Sequence, residues 1–398
     1  MTAKQPLIER EKRKPSRTIG VATVARSDYG IYIPILKNIL ADSDLHLHLI
    51  VSGSHLSPEF GLTIKQIEND GFEIGERVEM LLSSDTPEGI VKSMGLGMIG
   101  FAQAFSHCRP DILVVLGDRF EMHAAAISAL PFKIPVVHIH GGEITEGAFD
   151  DALRHSITKL SHLHFVSTQE YARRVIQLGE EPWRVVVSGA PGLDNLKTIE
   201  LISIHELESV YGLPMNPPPL LVTFHPATLE FENTSTHIEE LLNALEAFDQ
   251  PIIFTMPNAD TNGRIIKEKM ERYVQSHPNT RLIDNLGTRA YFSLMANAAI
   301  MVGNSSSGII EAPSFGLPVV NIGTRQKGRV RGENVIDVGY KQTEIIVGIR
   351  MALKPEFLNR ISKKVNPYGR GQASRIIVAK LKKIPLDNKL ISKKFHNI

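Results

Sequence analysis

Short apolar runs rich in β-branched residues alternate with stretches of helical periodicity along most of this chain. In the first half the runs lie at 18–24, 45–52, 112–117, 135–140, 163–167 and 185–188, with amphipathic stretches near 30–41, 86–107, 119–131, 150–161 and 169–178. Apolar strands alternating with helices predict parallel βαβ units, because a strand covered by helices on both faces needs no polar side. The pattern breaks at 212–219, where Gly212, Pro214 and Pro217 to Pro219 cluster as in a linker. A second set of strands falls at 220–225, 251–256, 281–284, 298–302, 318–322 and 334–337, with helices near 235–247, 261–276, 288–296, 306–315 and 341–353. The chain therefore reads as α/β, with two Rossmann-like doubly wound domains and a cleft between them. In such sheets ligands bind outside the carboxyl ends of the strands.

Length agrees with that division, since 398 residues exceed one ordinary core. The expected domains are 18–211 and 219–368. Residues 1–17 are polar and charged and read as a mobile tail, and the C-terminal segment 369–398 opens with a basic helical stretch that can pack back on the first domain. Lys+Arg (44) and Asp+Glu (43) nearly cancel, so no global field points to nucleic acid or an acidic membrane. Cys108 is the only cysteine, which excludes an intrachain disulfide and a cysteine-based zinc site. It stands in Ser106-His107-Cys108-Arg109-Pro110 and reads as a helix-end residue rather than half of a Cys–His nucleophile. No run approaches the roughly 18 apolar residues of a membrane span, and the first 17 residues lack the apolar stretch of a secretory signal. Cytoplasmic residence is the expectation.

The candidate chemistry sits at the predicted strand ends. Gly95-Leu96-Gly97-Met98-Ile99-Gly100 fits G-x-G-x-x-G formally, but that fingerprint needs a strand before it and a helix opening at it. Here it lies inside a long predicted helix, so close helix packing is expected instead. Met301 to Gly308, with Ser305 and Ser306 at its turn, follows a strand and precedes a helix. Backbone N–H groups there face an anion, and a serine capping the helix is compatible with that role. Glu311, on the same predicted helix, can accept from two ribose hydroxyls or simply be solvated. The loop Gly323 to Arg329 carries three cations, suited to a diphosphate or to water.

In the first domain Gly117-Asp118-Arg119-Phe120-Glu121 closes an apolar strand. The next strand ends in His138-Ile139-His140-Gly141-Gly142-Glu143, and alternation places His138 and His140 on one side. Asp150 and Asp151 open a helix containing Arg154 and His155. Carboxylates and imidazoles near adjacent strand ends suit acid–base work. The alternatives are a capping Asp150 and a hydrogen-bonded core His138. Arg26, in the loop after the first strand, and His225, ending the first strand of the second domain, are further candidates. No metal or cofactor is expected.

Together these motifs resemble the hydrolysing UDP-N-acetylglucosamine 2-epimerases of sialic acid biosynthesis, from about Thr18 to about Ala373. The resemblance rests on Ala25 to Tyr29, Gly117 to Phe120, His138 to Lys159, His225-Pro226, Gly303 to Ser306 and Gly323 to Asn334. It implies a fold like B-type glycosyltransferases, loss of UDP from C1 with proton removal at C2, and hydration to N-acetylmannosamine and UDP. Asp118 and Asp151 or Asp150 match the family's catalytic carboxylates. Arg26, His225, Ser305, Ser306, Glu311 and Arg329 match its nucleotide contacts, and Asn258 is assigned to the same UDP and substrate set. The chain departs where many members have a glutamate at the strand end. Here stands His140, with Glu143 just beyond, and a histidine of ordinary pKa about 6.5 exchanges protons near neutrality. A sister group acts on UDP-2,4-diacetamido-2,4,6-trideoxyglucose for legionaminic acid and has similar motifs. A homo-oligomer, dimer or tetramer, is expected. Two rivals remain: a glycosyltransferase, which needs an acceptor to release UDP, and a non-catalytic nucleotide-sugar-binding regulator, which sustained turnover excludes.

Overall fold

The computed structural model describes residues 17–82, 86–144, 149–226, 231–256, 263–284, 286–363 and 365–397. The tail expected at 1–17 lies outside them except for Arg17, which opens the first strand. Thirteen strands among the described residues form two all-parallel sheets. The first holds β1 (Arg17–Thr23), β2 (Leu45–Ser52), β3 (Ile74–Val78), β4 (Ile112–Leu116), β5 (Val136–Ile139), β6 (Leu163–Val166) and β7 (Val185–Val187). Its spatial order is β3-β2-β1-β4-β5-β6-β7. The second holds β8 (Leu220–Thr223), β9 (Ile252–Thr255), β10 (Thr280–Ile283), β11 (Ile300–Gly303), β12 (Val319–Ile322) and β13 (Val335–Val338), in the order β10-β9-β8-β11-β12-β13.

Each sheet thus reverses its winding once, between β1 and β4 and between β8 and β11. That reversal leaves a crevice at the carboxyl ends, because the connections on its two sides leave for opposite faces. Central strands such as β4 (Ile-Leu-Val-Val-Leu) are wholly buried, as expected with helices on both faces. The edge strand β3 carries Glu76 and Arg77 and is only partly buried. Charge at an edge discourages pairing with another chain, and it also hides the strand from an apolar-run reading.

The expected helix over 306–315 is two short ones, Ser306–Ile310 and Ala312–Phe315, with Glu311 at the break. Pro313 lacks the N–H that would continue the first helix. The short helices Ile64–Asn69, Ile204–Tyr211 and Pro355–Ile361 were not foreseen.

The C-terminal helix Ala373–Lys383 lies on the first sheet's side of the molecule. Ile377 and Leu381 join that core, Asn38 donates to Ser374 Oγ at 2.8 Å, and Lys382 meets Asp42 at 2.9 Å. Beyond it the buried Arg184 donates to the carbonyls of Lys389 and Leu390, both at 2.8 Å. Among the described residues no helix is long and apolar enough to cross a membrane.

Gly95, Gly97 and Gly100 lie inside the helix Pro87–His107, and Cys108 caps its C-terminal end. A Cβ on Gly97 would fall 2.6 Å from Met80 Cε and 3.2 Å from Ala124 Cβ, and one on Gly100 2.6 Å from Val78 Cγ1. Gly95 faces open space. Two of the glycines therefore serve packing. Gly97→Val should cost about 1–3 kcal/mol in denaturant unfolding, the usual range for overpacking, and leave nucleotide affinity unchanged. Gly95→Ala should be neutral or stabilise by up to about 1 kcal/mol.

Candidate active site

The loops singled out in the sequence converge on the two switch points. After β1, Asp28 shapes the turn: it accepts from Val24 N at 2.9 Å, Ala25 N at 2.6 Å and Thr23 Oγ1 at 2.8 Å. Burial pushes its carboxyl up to about 6 against those bonds. Arg26 then opens the helix Arg26–Leu40 with its side chain exposed. After β4 comes Asp118. Arg154, on the helix Asp150–Leu160, donates to Asp118 Oδ2 and, at 2.9 Å, to the carbonyl of His140. One buried guanidinium thereby holds the ends of β4 and β5 together. Arg119 is turned away onto the fully buried Glu121 at 2.9 Å.

Alternation fails at the end of β5. The strand stops at Ile139, and His140 takes a φ of +64°, a left-handed conformation rare for a side-chain-bearing residue. Such conformations persist only where surrounding contacts impose them. Here His140 N donates to Phe165 O at 3.1 Å while Arg154 holds its carbonyl. The two histidines consequently part company. His138 is fully buried, with Nδ1 on Thr158 Oγ1 at 3.1 Å and Nε2 on Gly117 O at 2.7 Å. Burial lowers its pKa to about 3, so it is the neutral core histidine of the alternative reading. His140 instead sets Nδ1 against Glu143 Oε1 at 2.5 Å, with Ser167 Oγ 3.1 Å from the same nitrogen.

Asp150 is not the helix cap, since Phe149 holds that position. Burial, and then the nearby charge of Asp118, push the Asp150 carboxyl up to about 6. Asp151 lies 3.4 Å from His155 Nε2 one turn on.

In the second sheet, Gly303 ends β11 at φ +133°, with its backbone so close to the carbonyl of Thr223 that no Cβ fits. The turn after it is thereby pressed onto the end of β8. Asn304 closes the joint: its Oδ1 accepts from His225 N at 2.7 Å and its Nδ2 donates to His225 O at 2.8 Å. His225 is buried, and burial followed by Arg325 lowers its pKa to about 3. Ser305 caps the next helix, accepting from Ser307 N at 3.3 Å. The basic loop folds onto this turn, with Gln326 Nε2 at 2.8 Å and Arg325 at 3.3 Å from Asn304 O. Asn258 lies outside the described residues.

Several close approaches bring the halves face to face. Glu311 Oε1 is 3.7 Å from where a Cβ of Gly192 would stand, and burial pushes its carboxyl up to about 8 despite Arg329. Arg329 reaches from the second half to within 3.6 Å of Glu143 Oε2. Beside them Tyr171 and Tyr368 share a 2.8 Å hydrogen bond, and both bond the backbone of Val330. Arg154 and Asn304 stood in the motifs read from the sequence without a role of their own, and nothing there pointed to Ser167 or this tyrosine pair. Arg154 carried one signal, since it lies one turn after Asp150 on the same helix.

The family model for UDP-N-acetylglucosamine 2-epimerase matches residues 37–382. A Campylobacter jejuni protein named GDP/UDP-N,N'-diacetylbacillosamine 2-epimerase (hydrolyzing) is 43% identical over 81% of this chain and 84% of its own. A Legionella pneumophila protein named UDP-N,N'-diacetylbacillosamine 2-epimerase (hydrolyzing) is 38% identical over 95% of this chain and 98% of its own. The fold matches the crystal structure of a Neisseria meningitidis UDP-GlcNAc 2-epimerase bound to UDP-GlcNAc. That match has a TM-score of 0.81 and 20% identity, and covers 92% of this chain and 100% of the other.

Proposed function

The chain belongs to the UDP-N-acetylglucosamine 2-epimerase family, and on that premise we propose that it hydrolyses a UDP-sugar with inversion at C2. The observation that carries this reading is the meeting of two unlike surfaces. An acid–base group around Asp118, His140, Glu143 and Asp150 lies at the ends of β4 and β5, and Arg329 reaches it from the loop after β12. The second half, through Ser305, Ser306, Glu311 and Arg329 with His225 behind them, takes the UDP. The first half takes the sugar.

His140 removes the C2 proton through Nε2, because Glu143 occupies Nδ1 and fixes the ring. The C–H electron pair becomes the C1–C2 double bond as the C1–O bond breaks, and UDP leaves with the electrons of that bond. Water then gives its hydroxyl to C1. A proton reaches C2 on the opposite face, and Asp150, with a pKa of about 6, holds an exchangeable one. Asp118 and Asp151 act on the sugar from the same rim.

Both curated relatives described above carry the diacetylbacillosamine name, so the preferred substrate in this reading is the 2,4-diacetamido-2,4,6-trideoxy sugar. This reverses the order expected from sequence. UDP-GlcNAc is the second reading, supported by the description of the family model. Mass spectrometry of the products from both UDP-sugars tests the choice. The expected result is UDP and the free 2-epimer with no added acceptor, formed faster from the diacetamido substrate. UDP release only with an acceptor would make the protein a glycosyltransferase.

The nucleotide half gives its own prediction. Arg329→Ala should weaken UDP binding by roughly 10- to 100-fold in calorimetry, the worth of a hydrogen bond to a charged group, and Glu311→Ala, which removes a largely neutral carboxyl, by roughly 2- to 10-fold. Unchanged affinity in both would remove these residues from the site.

A further inference from the structure

Glu143 stands between a histidine of its own loop and an arginine of the other half. Its Oε1 meets His140 Nδ1 at 2.5 Å and accepts from Ser167 Oγ at 3.3 Å, while its Oε2 faces Arg329 at 3.6 Å. The side chains of His140, Glu143 and Arg329 are 9%, 3% and 12% exposed, so water screens the Glu143–Arg329 pair little. Among the described residues Glu143 is the only carboxylate in ion-pair contact with Arg329, and Arg329 Nε is buried without a hydrogen-bond partner. The arginine thus has donor capacity left over, aimed from the loop that follows β12 into the contact between the halves. His140 Nε2 carries no hydrogen bond to any described residue.

Resting on the reading that Arg329 receives the diphosphate of the nucleotide, we propose that this arginine sets the strength of the base. Before the nucleotide binds, the charge of Arg329 is directed at Glu143 and weakens the His140–Glu143 pair as a proton acceptor. A diphosphate draws that charge away, and the pair gains proton affinity only once a UDP-sugar is in place. Departure of UDP returns the arginine to Glu143 and resets the site.

The surroundings single out Arg329 for this role. Burial alone would raise the pKa of Glu143, but His140, Arg329 and Arg154 outweigh it and hold the carboxyl below the usual range. Arg154 belongs to the helix Asp150–Leu160 and stays bound to Asp118 and the His140 carbonyl. Asp118 and Asp150 flank the pair from the first half, and His138 behind it is neutral. Tyr171 comes from the helix Gln169–Gln177, and Tyr368 and Glu311 come from the second half. Of these groups only Arg329 both touches Glu143 as an ion pair and belongs to the half assigned to the nucleotide.

Nitrogen-15 NMR of the full chain with labelled histidine tests the coupling without turnover. The His140 signal is identified by its loss in His140→Gln, and its titration midpoint is read with and without saturating UDP. UDP should raise the midpoint, because the Glu143 carboxylate paired with His140 loses the cation that opposes it. Arg329→Met, or Arg329→Gln if the first does not fold, should raise it without UDP. An unmoved midpoint in either substituted protein overturns the proposal, because the charge of UDP alone would then explain any shift in the wild type. An unmoved midpoint in wild type that binds UDP overturns it too, and leaves the nucleotide site intact. Calorimetry showing no UDP binding would overturn both.

Discussion

Asp118→Asn should leave a folded protein whose kcat is lower by roughly 10²–10⁴-fold, the usual contribution of a positioned acid–base group. Fold survival is expected because Asn has the same shape and keeps an oxygen for Arg154, and β4 behind it is wholly apolar and buried. The loss of rate is expected because Asp118 stands at the switch point of the first sheet, in the group that also contains His140 and Asp150. Its charge also helps hold the Asp150 carboxyl up at about 6, so neutralising it disturbs a second exchangeable proton. UDP affinity should change little, since the nucleotide is assigned to the other half. Steady-state kinetics beside a thermal melt separates these effects. A well-folded variant with near-normal kcat would remove Asp118 from the chemistry.

How much of this was legible in the sequence depended on whether a feature was local. β4 could be read from its apolar run, because a strand buried on both faces must be apolar throughout, and β1 and β2 from the apolar residues that dominate their buried ends. β3 could not, since an edge strand bearing Glu76 and Arg77 has no such run. The turn at Gly303 to Ser306 and the Asp118 loop were legible because strand-end motifs are contiguous. The sheet order then explains why they matter, since β1 and β4, and β8 and β11, are neighbours across the two reversals. The pairing of His138 with His140 was misjudged because alternation was extended one residue past the strand, into a left-handed turn. The ties of Arg154 to β4, of Arg329 to Glu143 and of Tyr171 to Tyr368 join residues far apart in sequence, and no spacing rule reaches them.

In the proposed reaction the C2–H bond breaks and a different proton arrives on the other face. The reaction run in D₂O measures this directly. On the proposed mechanism the original proton leaves to His140, whose Glu143 partner holds the ring, and the arriving proton comes from Asp150 or another group in exchange with solvent. Inversion makes return of the same proton unfavourable, because departure and arrival occur on opposite faces of the ring. The free sugar should therefore carry one deuterium at C2 in essentially every molecule, read by mass spectrometry and by loss of the C2 proton resonance. A product that keeps its original hydrogen at C2 would contradict the elimination and the roles assigned here to the group at the ends of β4 and β5.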